Sequence, residues 1–437
     1  MAKTEWYDEF VDSSVRPRKD DIVALFRFTC DRGISVKEAL GRVASESSVG
    51  TWTTLAQLPK RIPEMKAVAY KWKLDAGGKS GLAWVTYPAE LWEPGNMPQL
   101  LSGVAGNIFG MKAVKWLRLV DIQLPAWYLK GFRGPHDGIA GLRKRLRVPK
   151  RPLTATVPKP KLGWSATEHA DLGYEAWMGG VDLIKDDENL TSQSFNRFQK
   201  RVELLGKMRR RAERETGEVK SALLNVTAET NEALRRAKLL SREGWEYAMV
   251  DVVTTGWAAL QTLRDAFDDL DLAIHAHRAM HAMFTKSEEH GMSMPCMAKL
   301  LRLVGVDQLH AGTVVGKLVS PKHEVMASAA TLRDKKVKAI EGHLLDQDWG
   351  AFKPAFPVAS GGLHVGIVPD VMRIFGNDQV IQLGGGIHGH PDGTRAGAEA
   401  LLHVIRGTMH GMRLPDIGRE NRAVGRALAK WGREHPR

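Results

Sequence analysis

Cysteine is nearly absent from this chain: Cys30 and Cys296 are the two among 437 residues. That scarcity excludes a disulfide-stapled scaffold and a cysteine-rich zinc module. Aromatic residues make up only 7%. No apolar run approaches the roughly 20 residues that a membrane-spanning helix needs. Acidic residues number 50 against 63 lysines and arginines, a formal charge of +13, so the chain favours an anionic partner, either nucleic acid or phosphorylated metabolites. The opening Met-Ala-Lys-Thr-Glu-Trp is polar and does not read as a secretion signal, so a reducing, cytoplasmic setting is the expectation. A content of 43% hydrophobic and 26% charged residues is that of a soluble globular protein, and the length suggests two or three domains, or one barrel with an appendage.

The densest basic run, Lys207-Met-Arg-Arg-Arg-Ala-Glu-Arg214, lies in a helical pattern whose apolar stripe is Phe195, Phe198, Val202, Leu205, Met208 and Ala212. Its arginines mostly fall off that stripe, and no aromatic residues interleave as a base-stacking surface requires. A solvated helix face is therefore expected rather than a nucleic-acid groove.

Residues 1–133 mix helix and strand: Ile22–Phe28, Ala83–Tyr87 and Val114–Leu124 read as strands, and Val36–Ser47 as a helix. After the break at Gly131-Phe-Arg-Gly-Pro135 the texture changes. Eight short apolar runs follow: Leu153–Val157, Val181–Ile184, Ala222–Val226, Tyr247–Val252, Leu272–His275, Gln308–His310, Ala355–Ala359 and Val380–Leu383. Helical stretches such as 192–216, 229–243 and 257–269 separate them, with Asn231 a cap near the start of the second. Eight strand-helix units over 134–437 predict an α/β fold, a (β/α)8 barrel preceded by a smaller α+β domain, with an open doubly wound sheet as the alternative.

A barrel demands that chemistry cluster where strands end. Lys159 and Lys161 follow the first run, and Lys185, Asp187 and Glu188 the second. His275, His277 and Arg278 mark the fifth, His310 the sixth, Ser360-Gly-Gly362 the seventh and Gly384-Gly-Gly386 the eighth. Gly384-Gly-Gly-Ile-His-Gly389 spells G-x-G-x-x-G, but too little chain remains for a dinucleotide unit, and glycine amides holding a phosphate suit it better. Gly312–Lys317 is one residue short of a P-loop and reads as a glycine-hinged lid carrying one lysine inward. His275, His277 and His281 lack a clear companion ligand for zinc. In Gly179–Glu188, alternation places Val181, Leu183, Lys185 and Asp187 on one face. Two carboxylates suit a hard cation such as Mg²⁺, and a buried ion pair is the plain alternative. Phosphate-friendly loops, lysines and a carboxylate pair together indicate a bisphosphorylated sugar enolised beside a carbonyl.

These residues resemble the large chain of ribulose-bisphosphate carboxylase/oxygenase (RuBisCO). The matching stretches are Glu46-Ser-Ser-Val-Gly-Thr-Trp-Thr-Thr54, Gly106-Asn-Ile-Phe-Gly110, Lys159-Pro-Lys-Leu-Gly163, Gly179–Asn189, His275–His281, His310–Leu318, Pro357–Gly362 and Gln382–Gly386. The length and Asn189–Arg197 look most like the archaeal-type group, form III, which lacks a small subunit and often serves nucleotide salvage.

The resemblance implies that CO₂ carbamylates Lys185, which then holds Mg²⁺ with Asp187 and Glu188. The carbamate removes the C3 proton of ribulose 1,5-bisphosphate, and the enediolate attacks CO₂, with O₂ competing. Lys159 is implied as acid/base, supported by Lys161, and His277 as an aid at the C3 hydroxyl. Arg278, His310 and Ser360 bind substrate, chiefly around one phosphate, Gly384 and Gly385 help hold the other, and Gly361, Gly362 and Gln382 are further substrate-binding residues. Lys317 contacts the new carboxylate. Glu46, Thr51, Trp52 and Asn107 reach the active site of a partner chain in a homodimer, or in a ring of dimers. A relative that enolises another phosphorylated sugar is the rival reading; no nucleic acid or membrane partner is expected.

Overall fold

Ile22–Cys30 reads as a near-unbroken apolar run, as a strand covered on both faces should. In the computed structural model, which describes residues 5–51, 53, 55–315 and 321–434, it is the middle strand of a five-stranded sheet. The order across that sheet is Gly291–Met292, Val114–Gln123, Ile22–Cys30, Ser80–Tyr87 and Val68–Leu74. The long strands pair antiparallel, with Ile22 opposite Tyr87 and Phe28 opposite Gly81. Val23, Leu25, Leu82, Trp84 and Val120 form one buried cluster with Leu345. Helix Val36–Glu46 starts at Ser35, whose hydroxyl accepts the Glu38 amide at 3.1 Å. Val68–Leu74 escaped sequence reading because it is a half-exposed edge strand bearing Lys71 and Lys73.

The chain forms two compact units. One comprises Met1–Arg133, Met280–Leu303 and Asp334–Phe352; the other comprises Gly134–Ala279, Val304–Arg333 and Lys353–Arg437. Within the first, a fully buried ion pair ties distant segments: Lys299 Nζ donates to Asp121 Oδ2 at 2.6 Å and to the Ile122 carbonyl at 2.8 Å, and Asp121 Oδ2 also accepts the Leu345 amide at 2.7 Å.

The second unit is a closed barrel of eight parallel strands: Leu153–Thr156, Leu183–Lys185, Ser221–Asn225, Tyr247–Asp251, Ala273–His277, Gln308–His310, Phe356–Ser360 and Val380–Leu383. Each lies beside the next in sequence, and the eighth beside the first. All eight apolar runs are strands, with ends shifted by at most two residues, and the open-sheet alternative is excluded. Leu153, Leu183, Tyr247, Phe356 and Val380 pack together at the foot of the barrel. Two and four residues further along the same inward faces come Lys185, Asp251, His277, Ser360 and Gln382, so the interior turns from apolar to polar toward the strand ends.

Three local expectations need correction. Val181 does not share a face with Leu183, since the strand begins only at Leu183; Val181 packs with Ile381, Leu383 and helix residues instead. The helix expected from 192 begins at Phe198, whose amide bonds the Ser192 hydroxyl at 3.1 Å. The cap at 229–243 is Glu229 rather than Asn231: its carboxylate accepts the Asn231 and Glu232 amides.

Candidate active site

The second strand ends in Lys185-Asp-Asp-Glu188, where the interior is polar. Lys185 is 1% exposed, and its Nζ donates to the Asp186 carbonyl at 2.7 Å. Burial lowers its pKa, opposed by Glu188, Asp251, Asp187 and Asp186, which favours an amine that can lose its charge. The two following carboxylates each hold a lysine from the first strand end. Lys159 Nζ donates to Asp187 Oδ2, and Lys161 Nζ to Glu188 Oε1, both at 2.8 Å. Burial works against an ionised Glu188, but His277, Lys185 and the Lys161 hydrogen bond outweigh it and hold its pKa to about 2. Glu188 in turn raises the pKa of Lys161.

These residues fit a hard divalent cation on one condition. Among the described residues no three His, Cys, Asp or Glu side chains form a ready metal-binding group. Asp187 and Glu188 supply two oxygen donors, and the third position is the Lys185 amine. Conversion of that amine to an anionic oxygen donor would give three protein oxygens, with waters or substrate filling the remaining positions.

Four side chains form a directed chain of hydrogen bonds across the fifth, sixth and seventh strands. His275 Nδ1 lies 2.8 Å from Gln308 Oε1, His275 Nε2 lies 3.0 Å from His310 Nε2, and His310 Nδ1 lies 2.6 Å from Ser360 Oγ. Gln308 Oε1 can only accept, so protons are assigned to His275 Nδ1, His310 Nε2 and Ser360 Oγ in turn. Both imidazoles are then neutral, in keeping with burial that drives their pKa values well down. Beside them His277 Nδ1 accepts the Ala279 amide at 3.2 Å, with Asp251 Oδ1 also 3.2 Å away and Glu188 Oε2 3.7 Å from Nε2. Burial and the nearby Lys185 lower the pKa of His277. Burial likewise brings Arg278 down to about 10, with Glu324 opposing.

At the eighth strand end Gln382 is buried, and Gly384 sits so close to Lys159 that a Cβ there would lie 3.0 Å from Lys159 Cε. A Cβ on Gly385 would meet nothing within 4 Å, so its backbone faces open space. Gly361 and Gly362 take φ values of 109° and 73°, which favour glycine over any other residue. In the other unit, exposed Asn107 donates to exposed Glu46 at 3.4 Å, and Thr51 is half-buried. Lys317 and Trp52 lie outside the described residues.

Sequence reasoning missed Asn225 and Asp251, the inward residues that end the third and fourth strands. Asn225 Nδ2 donates to the Glu188 carbonyl at 3.2 Å, and Asp251 lies opposite His277 in the strand register. The period-two alternation that marked the neighbouring strand ends would have found both.

Two family models match: the catalytic domain of the ribulose bisphosphate carboxylase large chain over residues 138–431, and its N-terminal domain over 9–128. The ribulose bisphosphate carboxylase of Pyrococcus abyssi is 47% identical over 435 residues, covering 100% of this chain and 99% of that protein. That of Archaeoglobus fulgidus is 47% identical, covering 100% of both. Among solved structures, the dimeric archaeal Rubisco of Hyperthermus butylicus superposes with a TM-score of 0.93 at 47% identity, covering 98% of this chain and 99% of that one. The octameric enzyme of Pyrococcus horikoshii gives 0.91 at 46%, covering 98% and 97%. By sequence over its whole length and by the architecture of its barrel, the chain belongs to the ribulose bisphosphate carboxylase large-chain family.

Proposed function

We propose that the polar end of the barrel joins CO₂ to ribulose 1,5-bisphosphate and cleaves the product to two molecules of 3-phosphoglycerate, with O₂ as the competing reactant. The observation that carries this reading is the buried Lys185, its pKa lowered by burial, beside Asp187 and Glu188. It is an amine placed to take up CO₂ as a carbamate, with the two carboxylates beside it, and together the three hold Mg²⁺. When bound, Mg²⁺ polarises the sugar carbonyl and stabilises the enediolate.

The chain's own residues do the rest. C3 of the sugar loses a proton, C2 forms a bond to CO₂, water adds at C3, and the C2–C3 bond breaks. The C2 carbanion left behind then takes a proton. Neutral His277, with Asp251 beside its Nδ1, assists proton movement at the C3 hydroxyl. Lys159, whose ammonium bonds Asp187 at the strand end, would protonate C2, and Lys161 supports it. Arg278, His310 and Ser360 hold substrate chiefly around one phosphate, Gly384 and Gly385 hold the other, and Gly361, Gly362 and Gln382 line the substrate. Lys317 contacts the newly added carboxylate.

The active site is shared between chains of a homodimer, without a small subunit: Glu46, Thr51, Trp52 and Asn107 complete the partner's barrel. The dimeric and octameric relatives support this assembly. Protein activated with labelled bicarbonate and Mg²⁺ and then given ribulose 1,5-bisphosphate should place the label in 3-phosphoglycerate; label confined to the protein would favour the rival enolising reading. Sharing has its own test. Co-expressed Lys185→Met and Glu46→Ala chains, each inactive alone, should recover roughly a quarter of the activity through hybrid dimers. No recovery would place each active site within one chain.

A further inference from the structure

The carboxylate-bearing turn after Lys185 is held from behind by one arginine. Arg201 lies on the apolar stripe of helix Phe198–Thr216 and is 0% exposed. Its Nε and Nη2 donate to Asp186 Oδ2 at 3.1 and 2.9 Å, and Nη2 also to the Thr191 carbonyl at 2.8 Å. Nη1 donates to the carbonyl and side-chain oxygens of Asn196 at 3.0 and 2.9 Å. Asn196 continues the network, its Nδ2 donating to the Trp164 carbonyl at 3.0 Å, beyond the Lys159–Lys161 loop.

Asp186 is the other half of this clamp. Its Oδ2 takes a third donor, the Asn225 amide at 2.9 Å, and its carbonyl accepts Lys185 Nζ. Its side chain points away from the groups that its neighbours engage. Asp187 and Glu188 face the two lysines, while Asp186 is 1% exposed and turned toward the helix. A guanidinium has a planar fork of donors that fixes direction as well as distance, which a lysine ammonium lacks. Fixing Asp186 at both its backbone and side chain therefore fixes the residues on either side of it.

We propose that Arg201, acting through Asp186, is a positioning residue that sets the spacing of Lys185, Asp187 and Glu188 for their cation. This rests on the carboxylase reading for the identity of the cation, not for the clamp itself. Groups behind metal ligands contribute in this way elsewhere, and losing them typically weakens metal binding by ~10- to 100-fold.

The test compares Arg201→Lys with the double variant Asp186→Asn/Arg201→Met. The double variant removes both buried charges together and so avoids stranding either one. Mn²⁺ binding, followed by its electron paramagnetic resonance signal in bicarbonate buffer, is read beside the melting temperature and KM for the sugar bisphosphate. In the double variant the Mn²⁺ dissociation constant should rise by ~10-fold or more, with KM close to wild type. Arg201→Lys should fall between the two. Wild-type Mn²⁺ affinity in a folded double variant would overturn the proposal. A wild-type protein that binds Mn²⁺ but fixes no CO₂ would sink the carboxylase reading and leave the clamp standing.

Discussion

The two ends of the barrel treat charge in opposite ways. At the foot, a cavity of about 480 Å³ is rimmed by Arg147, Lys150, Arg151, Asp182, Glu218 and Arg406. Its carboxylates are saturated. Asp182 takes both arms of Arg151 at 2.7 and 2.6 Å and also the Thr154 amide and hydroxyl, each at 2.8 Å, while Glu218 holds Lys220 at 2.6 Å. The remaining cations sit where helices Gly138–Leu146 and Gly393–Met409 end, and cations there offset the helix dipoles. At the other end the pairs are looser: Lys161 is 58% exposed and Lys159 30%, each holding a carboxylate by one bond. Asp251 Oδ1 is buried, with His277 Nδ1 at 3.2 Å. The foot has the space, but the opposite end has the groups whose partners can be exchanged, and that distinction locates the chemistry.

Swapping single residues at each end should separate activity from stability. Lys185→Met removes the amine proposed to become the third oxygen donor, so carboxylation should fall by more than ~10³-fold. The fold should keep or gain stability, since an uncharged side chain replaces a buried amine. Thermal melting beside a carboxylation assay reads both. At the foot, Asp182→Ala should do the reverse. It strands a mostly buried Arg151 and two Thr154 donors, costing about 3–5 kcal/mol, while turnover per folded molecule stays at wild type. Equal losses of activity from both variants would dissolve the distinction.

The barrel was legible because its strands are buried on both faces, so each reads as an apolar run. The edge strand Val68–Leu74, bearing Lys71 and Lys73, carries no such signal. Nor did any local pattern announce that Met280–Leu303 and Asp334–Phe352 pack with the first unit, since that depends on contacts such as Lys299–Asp121 across 178 positions. Within the site, Lys185, Asp187 and Glu188 stood out by clustering in sequence. Asn225 and Asp251 did not, because each stands alone in sequence and is picked out only when the period-two alternation of the neighbouring strand ends is extended to its strand; the register then sets Asp251 opposite His277. Arg201 was obscured by its helix, whose many arginines are mostly solvent-facing ion pairs, such as Arg211 with Glu215.

Acid should loosen the two ends unequally. His388 faces Thr156 Oγ1 at 3.1 Å and Thr394 Oγ1 at 3.0 Å. Burial, then His169 and Lys159, bring its pKa down to about 4, with a backbone contact to Val157 opposing. The unfolded chain binds a proton near the ordinary imidazole value of about 6.5, and the native site refuses it. Stability is therefore full above that value, falls as the pH drops toward 4, and the loss reaches up to ~3 kcal/mol. Hydrogen exchange corrected for intrinsic rates should show residues 383–394 opening more at pH 5 than at pH 7, with 147–153 unchanged. His388→Gln should flatten the difference; a uniform response at both ends would contradict it.

The smallest effect expected is the most local. Gly384 has φ −102°, so its backbone is not in the left-handed region that demands glycine. The methyl of an alanine there would stand 3.0 Å from Lys159 Cε and 3.1 Å from Val157 Cγ1. Lysine gives way more easily than the strand, so Lys159 should shift by a few tenths of an ångström and turnover should drop a few-fold, with little change in KM. At Gly385 a methyl meets no protein atom within 4 Å. It would intrude instead on the space assigned to a substrate phosphate, raising KM and leaving kcat nearly intact. Steady-state kinetics of the two neighbouring alanine variants should therefore split in opposite directions. A KM effect at Gly384, or a kcat effect at Gly385, would mean that the amine and the phosphate pocket are not separated by this one residue.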